Sequence, residues 1–177
     1  MAETGQPVLH TALINLVHGT KPTVRFPHPC DVFINHRTVD TRCTGVRLLY
    51  DHLIQQRCKP FLDIETMKPG DRLLDTIDKA IRGCKVGVAV FSPRYCDSYF
   101  CLHELSLLVE SKKRIVPIFY DVKPSQLRVK DSAIWGCSQK DLKRFNLATE
   151  EAKSIVGLPF DSLQWKFMGL SFKIESD

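Results

Sequence analysis

Three features of this 177-residue sequence predict a doubly wound α/β domain around a parallel sheet. Short apolar runs alternate with longer segments of helical periodicity, four times in succession. One run, Val86-Gly87-Val88-Ala89-Val90-Phe91, shows no polar alternation, as expected of a strand covered on both faces. The connections are short, as in chains that cross from strand to helix and back to a parallel strand.

Residues 1–29 hold four prolines (Pro7, Pro22, Pro27, Pro29) and little periodicity, so an irregular leader is expected. At Asp31 the pattern changes, and Val32-Phe33-Ile34 signals the first strand. Residues 42–57 read as a helix with Val46, Leu49 and Leu53 on one stripe. Pro60-Phe61-Leu62 is a second short strand, followed by a loop over 63–70 that closes on Pro69-Gly70. Asp71 is placed to cap the next helix, Leu74, Ile77 and Ile81 form its inner stripe, and Gly83 ends it. A helix over roughly 99–112 follows the central strand, with Leu102, Leu105 and Val109 facing inward. Residues 115–119 form the next strand, where Pro117 points to an edge position or a bulge. Residues 139–156 read as one or two helices with polar faces. This order of elements is flavodoxin-like, and ligands of such sheets sit at the carboxyl ends of the strands near a switch in strand order. The segments 35–37, 63–70, 92–99 and 121 onward therefore carry the candidate site.

Composition narrows the function. Apolar residues make up 44% and charged residues 25%, which fits a folded globular chain. No apolar run approaches the ~18 residues of a membrane helix; the stretch Ala12–Val17 is short and broken by Asn15. No membrane partner is expected. Glu3 without early Lys or Arg argues against a secretory signal, and Ala2 excludes myristoylation. The seven cysteines (Cys30, Cys43, Cys58, Cys84, Cys96, Cys101, Cys137) are odd in number and form no C-x-x-C pair, which suits a reducing, cytoplasmic setting. No metal site is expected: Cys101 and His103 face different ways on a helix, and Leu107 stands where a zincin helix would need His.

The net charge of +5 is concentrated. Lys112, Lys113, Arg114, Lys123, Arg128 and Lys130 face a single acid, Asp121. Two readings stand: a solvated rim beside a strand, or a contact for an anionic partner. Nucleic acid draws little support, because no aromatics interleave with the basic residues.

Most familiar catalytic signatures are absent. The glycines build neither a dinucleotide fingerprint nor a Walker A loop, and no G-x-S-x-G elbow occurs. Asp31 stands alone where a phosphoacceptor pocket would cluster acids. What remains is Glu104, beside the inner stripe of its helix and on the flank of Cys101 and Phe100. It reads either as a partly buried functional acid or as a rim acid making an ordinary hydrogen bond.

Several motifs in order resemble plant Toll/interleukin-1 receptor (TIR) domains. They are Asp31-Val32-Phe33-Ile34-Asn35-His36-Arg37 with Asp40-Thr41-Arg42, Pro60-Phe61-Leu62-Asp63 with Lys68-Pro69-Gly70-Asp71, Ala89-Val90-Phe91-Ser92 with Tyr95, Ser98 and Cys101-Leu102-His103-Glu104-Leu105, and Ile115 to Pro124. The resemblance covers roughly 30–162, most like the small TIR-only proteins of grasses, and leaves 163–177 as a divergent end. It implies a flavodoxin-like fold and cleavage of NAD+ as substrate, with no cofactor and with Glu104 as the catalytic carboxylate. The chemistry is coherent: nicotinamide leaves as a neutral group from a cationic linkage, so one carboxylate that stabilises an oxocarbenium ion suffices. The resemblance further implies substrate contacts from Arg37, Asp63, Ser98, Phe100 and Cys101. It implies a BB loop of Ile64, Met67, Lys68, Pro69 and Gly70 that covers the substrate and meets neighbouring TIR domains on activation. His36-Arg37-Thr38-Val39 replaces the family's Phe-Arg-Gly-Glu, and Arg47-Leu48 replaces the Ser-His pair of the first-helix interface. The leading expectation is an NAD+-cleaving enzyme of plant immune signalling. The runner-up is a non-catalytic TIR–TIR adaptor or decoy, and a third reading is hydrolysis or cyclisation of nucleic acid at the basic stretch.

Overall fold

The computed structural model describes residues 30–41, 45–62, 72–130 and 136–163. Five strands form one sheet: β1 (Val32–His36), β2 (Pro60–Phe61), β3 (Val86–Phe91), β4 (Arg114–Tyr120) and β5 (Leu158–Phe160). Their order is β2-β1-β3-β4-β5 and every pairing is parallel. Helices α1 (Thr38–Thr41), α2 (Gly45–Gln55), α3 (Leu73–Gly83), α4 (Tyr99–Glu110) and α5 (Gln139–Ser154) lie between them. The chain runs outward from β1 to β2, then returns to the other side of β1 for β3, so the switch point falls between β1 and β3. The doubly wound reading of the sequence is the fold observed.

Strand alternation divides the core into two layers. Val32, Ile34, Val86, Val88, Val90 and Ile118 pack with Val46 and Leu53 of α2 on one face. Phe33, Ala89, Phe91 and Phe119 pack on the other with Ile77 and Ile81 of α3, Leu102, Leu105 and Leu108 of α4, and Phe145 of α5. Each fully buried large side chain contributes roughly 1.5–3 kcal/mol of transfer free energy. Gly87 lets α4 close on β3, since a Cβ there would lie 2.7 Å from Leu108 Cδ2. A bidentate pair, Arg144 Nε to Glu110 Oε1 at 2.6 Å and Nη2 to Oε2 at 3.0 Å, ties α5 to the end of α4.

Several local expectations are corrected. Pro117 sits in a ladder with no bulge, paired with Ala89 in unbroken register. Strand β4 is not the sheet edge, because β5 joins it from Ile118 onward. Pro117 is the last residue before that pairing, so the edge character belongs to the first half of the strand. Helix α3 has Arg72 at its N-cap with no side-chain cap bond; Asp71 lies outside the described residues. Leu74 is exposed, and the buried stripe of α3 is Ile77, Ala80 and Ile81. The segment over 139–156 holds one helix, Gln139–Ser154, capped by Ser138 Oγ accepting from Asp141 N at 3.1 Å. Strand β5 and the single turn α1 carry no signal in the sequence reading.

The basic stretch is dispersed by the fold. Lys113 Nζ donates to the carbonyls of Arg82 and Cys84, at 2.6 and 2.9 Å, and so caps the end of α3. Lys130 pairs with Asp97 at 2.6 Å, while Lys112, Arg114, Lys123 and Arg128 are exposed. At the amino end of the sheet, Asp31 accepts from Lys59 N at 2.9 Å and pairs with Lys85 Nζ at 2.9 Å. That places Asp31 at the end of β1 opposite the switch-point crevice. No helix among the described residues is long and apolar enough to cross a membrane.

Candidate active site

Three segments meet where β1 and β3 end: the last residues of β1 with α1, the turn after β3, and the first turns of α4. Position 35 is a buried strand position on the face that carries Phe33 and packs against α4, and an amide there must find partners or cost free energy. Asn35 is fully buried and finds them. Its Nδ2 donates to Glu104 Oε2 at 2.8 Å and to the Cys101 carbonyl at 3.1 Å. The Tyr95 hydroxyl, itself fully buried, donates to Asn35 Oδ1 and lies 3.1 Å from the same Cys101 carbonyl. Two acceptors on one side, the Cys101 carbonyl and the Glu104 carboxylate, set the orientation of the Asn35 amide. Burial, followed by the charges of Cys101 and Glu104, pushes the Tyr95 hydroxyl well above its usual range, so it stays protonated as a donor.

Glu104 is half-buried on α4, on the side that faces the end of β1. An amide donor on its carboxylate suits the ionised form. The flank predicted for it is largely correct: Cys101, one turn earlier, is buried, and its thiol donates to the His36 carbonyl at 3.3 Å. Ser98 is the N-cap of α4, its Oγ accepting from Cys101 N at 3.3 Å. Phe100 is 51% exposed in the first turn of α4, with its ring edge-on to Tyr99. Asp63, Ile64, Met67, Lys68, Pro69 and Gly70 lie outside the described residues.

A second cluster lines the same crevice. The Asp40 carboxylate on α1 accepts from Ser92 Oγ at 2.7 Å and Arg94 N at 3.2 Å. Arg94 also donates to it from Nε at 3.0 Å and Nη2 at 2.7 Å. Arg37 lies beside it, with Nε 3.8 Å from Asp40 Oδ2. Thr41 Oγ1 donates to the Arg37 carbonyl at 3.1 Å, so the 2.8 Å contact with His36 is donated by His36 Nδ1. The structure thus brings Glu104, Cys101 and Ser98 together on α4 and sets Arg37 across from them against Asp40.

The partners the sequence reading did not assign are Asn35, Tyr95, Ser92 and Arg94. All four fall in the flagged segments 35–37 and 92–99. Their pairing spans some fifty to seventy residues of chain, which no local pattern reports. Among the described residues, no three His, Cys, Asp or Glu side chains gather as metal ligands. The arrangement holds a carboxyl group, anchored by an amide on its buried side, at the carboxyl edge of a parallel sheet. Such a group stabilises a cation that develops beside it.

A family model described as TIR domain matches residues 32–153. The chain belongs to the TIR domain family. Among curated relatives, it is 55% identical over 136 residues to a probable 2' cyclic ADP-D-ribose synthase, BdTIR, of Brachypodium distachyon. That alignment covers 75% of this chain and 60% of the relative. TMV resistance protein N of Nicotiana glutinosa is 33% identical over 141 residues, which is 72% of this chain and 12% of that protein. The chain therefore spans less than two thirds of the length of either relative. Among solved structures, the TIR domains of the activated Roq1 resistosome, which directly recognises the pathogen effector XopQ, superpose with a TM-score of 0.65 at 30% identity. The match covers 73% of this chain and 87% of that one. The TIR resemblance read from the sequence motifs is thus the family found.

Proposed function

We propose that this TIR domain cleaves the nicotinamide–ribose bond of NAD+ in plant defence signalling. The single observation that carries the reading is Glu104, a half-buried carboxylate held by a buried amide at the switch-point crevice. As the bond lengthens, positive charge moves onto the ribose, and Glu104 stabilises it. Nicotinamide departs neutral with the bonding electron pair, so no acid is needed to protonate it. Water attacking the ribose carbon and losing a proton gives ADP-ribose; attack by another group of the same molecule gives a cyclic ADP-ribose. The name of the Brachypodium relative supports the cyclic product. In this reading Arg37, Asp63, Ser98, Phe100 and Cys101 contact or frame the substrate, and the BB loop (Ile64, Met67, Lys68, Pro69, Gly70) engages a neighbouring TIR domain. The resistosome likeness supports self-association as the active state, and the reading places the enzyme in the cytoplasm.

The test is purified protein with NAD+ and chromatographic separation of products. Nicotinamide should appear in step with NAD+ loss, together with ADP-ribose or a cyclic isomer. Activity per molecule should rise with protein concentration and vanish in Gly70→Arg. No turnover at any concentration, or a specific activity flat over a hundredfold dilution, would count against cleavage and against assembly respectively.

A further inference from the structure

We infer that Asn35, oriented by Tyr95, is a positioning residue that fixes the Glu104 carboxylate for reaction. The inference rests on the reading of Glu104 as the NAD+-cleaving group and adds how the fold aims it. The end of β1 needs no side-chain amide for sheet pairing, because its backbone is already laddered to β3 with Asn35 opposite Ala89. A Val or Ile would pack at this buried position without the cost of burying an amide. Instead, both Nδ2 protons of Asn35 are spent on α4, one on the Cys101 carbonyl at 3.1 Å and one on Glu104 Oε2 at 2.8 Å. The first of these bonds alone would stitch strand to helix. The second reaches past the stitch to the carboxylate, so the charged end of Glu104 is referenced to the sheet and not to its own flexible side chain.

Tyr95 completes the chain of constraint. Its ring is held edge-on against Phe91 with centroids 4.7 Å apart, and its hydroxyl faces Asn35 Oδ1. Both side chains are shut off from water, so neither can exchange its partner for solvent. The amide cannot turn over without setting its oxygen against two acceptors, the Cys101 carbonyl and the Glu104 carboxylate. Glu104 is therefore presented in one orientation before substrate arrives, which is how preorganised charge gains its effect. The titratable groups that act on Tyr95 are Cys101, Glu104 itself and Cys96, and a buried, protonated tyrosine adds no competing charge.

The test combines steady-state kinetics with side-chain amide NMR on the whole chain. Asn35→Ala should lower kcat about 10- to 100-fold while KM for NAD+ stays within about threefold, because positioning and not substrate binding is lost. Tyr95→Phe keeps the ring and should give a smaller loss of the same kind. Independently of turnover, the Asn35 side-chain amide protons should move on Glu104→Gln, which alters their acceptor, and again on Tyr95→Phe. A folded Asn35→Ala with parental kcat, or Asn35 amide resonances indifferent to Glu104→Gln, would overturn the proposal. If Asn35→Ala does not fold, Tyr95→Phe and the resonance shifts decide it. Parental turnover by Glu104→Gln with the amide shift present would instead overturn the assignment of Glu104 to catalysis, leaving the contact itself intact.

Discussion

Arg94 grips Asp40 through two side-chain nitrogens, Nε at 3.0 Å and Nη2 at 2.7 Å from one carboxylate oxygen. The other oxygen takes the Ser92 hydroxyl at 2.7 Å, and the Asp40 side chain is only 6% exposed against 60% for Arg94. The turn after β3 is thereby fixed to α1 after β1, across the switch point. The two partners should not be equivalent on removal. Asp40→Ala leaves a buried hydroxyl without its acceptor and should cost about 1–3 kcal/mol. Arg94→Ala removes a largely solvated charge and should cost under about 1 kcal/mol. Urea midpoints of the two variants check this, and the reverse ranking would contradict it.

Gly87 sets the distance between sheet and helix. Its missing Cβ leaves room for Leu108, whose side-chain carbons would otherwise stand 2.7 and 2.9 Å away. Gly87→Ala should destabilise by about 1–3 kcal/mol, the range for overpacking a filled core. The same substitution made on Leu108→Ala should cost less, and a double-mutant cycle by chemical denaturation measures the difference. Additive costs would mean that the close approach is not the cause.

The buried thiols should be inert. Burial, with Cys84 and Asp31 nearby, pushes the Cys30 thiol up to about 12, and burial pushes Cys84 and Cys96 up to about 11. At neutral pH a disulfide reagent should label half-exposed Cys137 first among the described cysteines, with Cys30, Cys84 and Cys96 modified only on unfolding. Peptide mass mapping gives the order. Because the folded values are raised from 9.0, the protonated thiols support the fold fully below about pH 9, and that support is lost as pH rises toward 11–12. Labelling of Cys30 as fast as Cys137 in folded protein would contradict its placement.

The basic residues after α4 should matter little to turnover. Lys123 and Arg128 are exposed, and Lys130 is half-exposed in its pair with Asp97. Screening within ~8 Å at physiological salt leaves solvent-exposed charges little influence on the Glu104 carboxylate. Neutralising all three together should change the rate of NAD+ loss less than about twofold. A steep, salt-sensitive fall would instead point to an anionic partner at this surface.

The parts of the fold that could be read from sequence are those whose signal is local. Six consecutive apolar residues from Val86 to Phe91 declare a strand buried on both faces, and the stripe of Leu102 and Leu105 places Glu104 on the flank that the structure shows. Strand β5 escaped because three residues with Pro159 at the centre look like loop, and only an edge position makes that proline tolerable. Leu74 misled because an apolar residue in a first turn can satisfy the helical period and still face outward. Asn35 and Tyr95 lie in segments that the strand ends picked out. Their shared hydrogen bond was illegible, since it depends on sheet order bringing β1 beside β3.

Glu104→Gln tests the central claim most directly. It preserves shape and the possibility of a hydrogen bond to Asn35 while removing the negative charge that the proposed mechanism sets against the developing cation. Nicotinamide release from NAD+ should be followed for both proteins at equal, high concentration, with circular dichroism confirming that each is folded. The account predicts a loss of several orders of magnitude, in line with removal of preorganised transition-state charge stabilisation. Turnover by the folded Gln variant at the parental rate would contradict it.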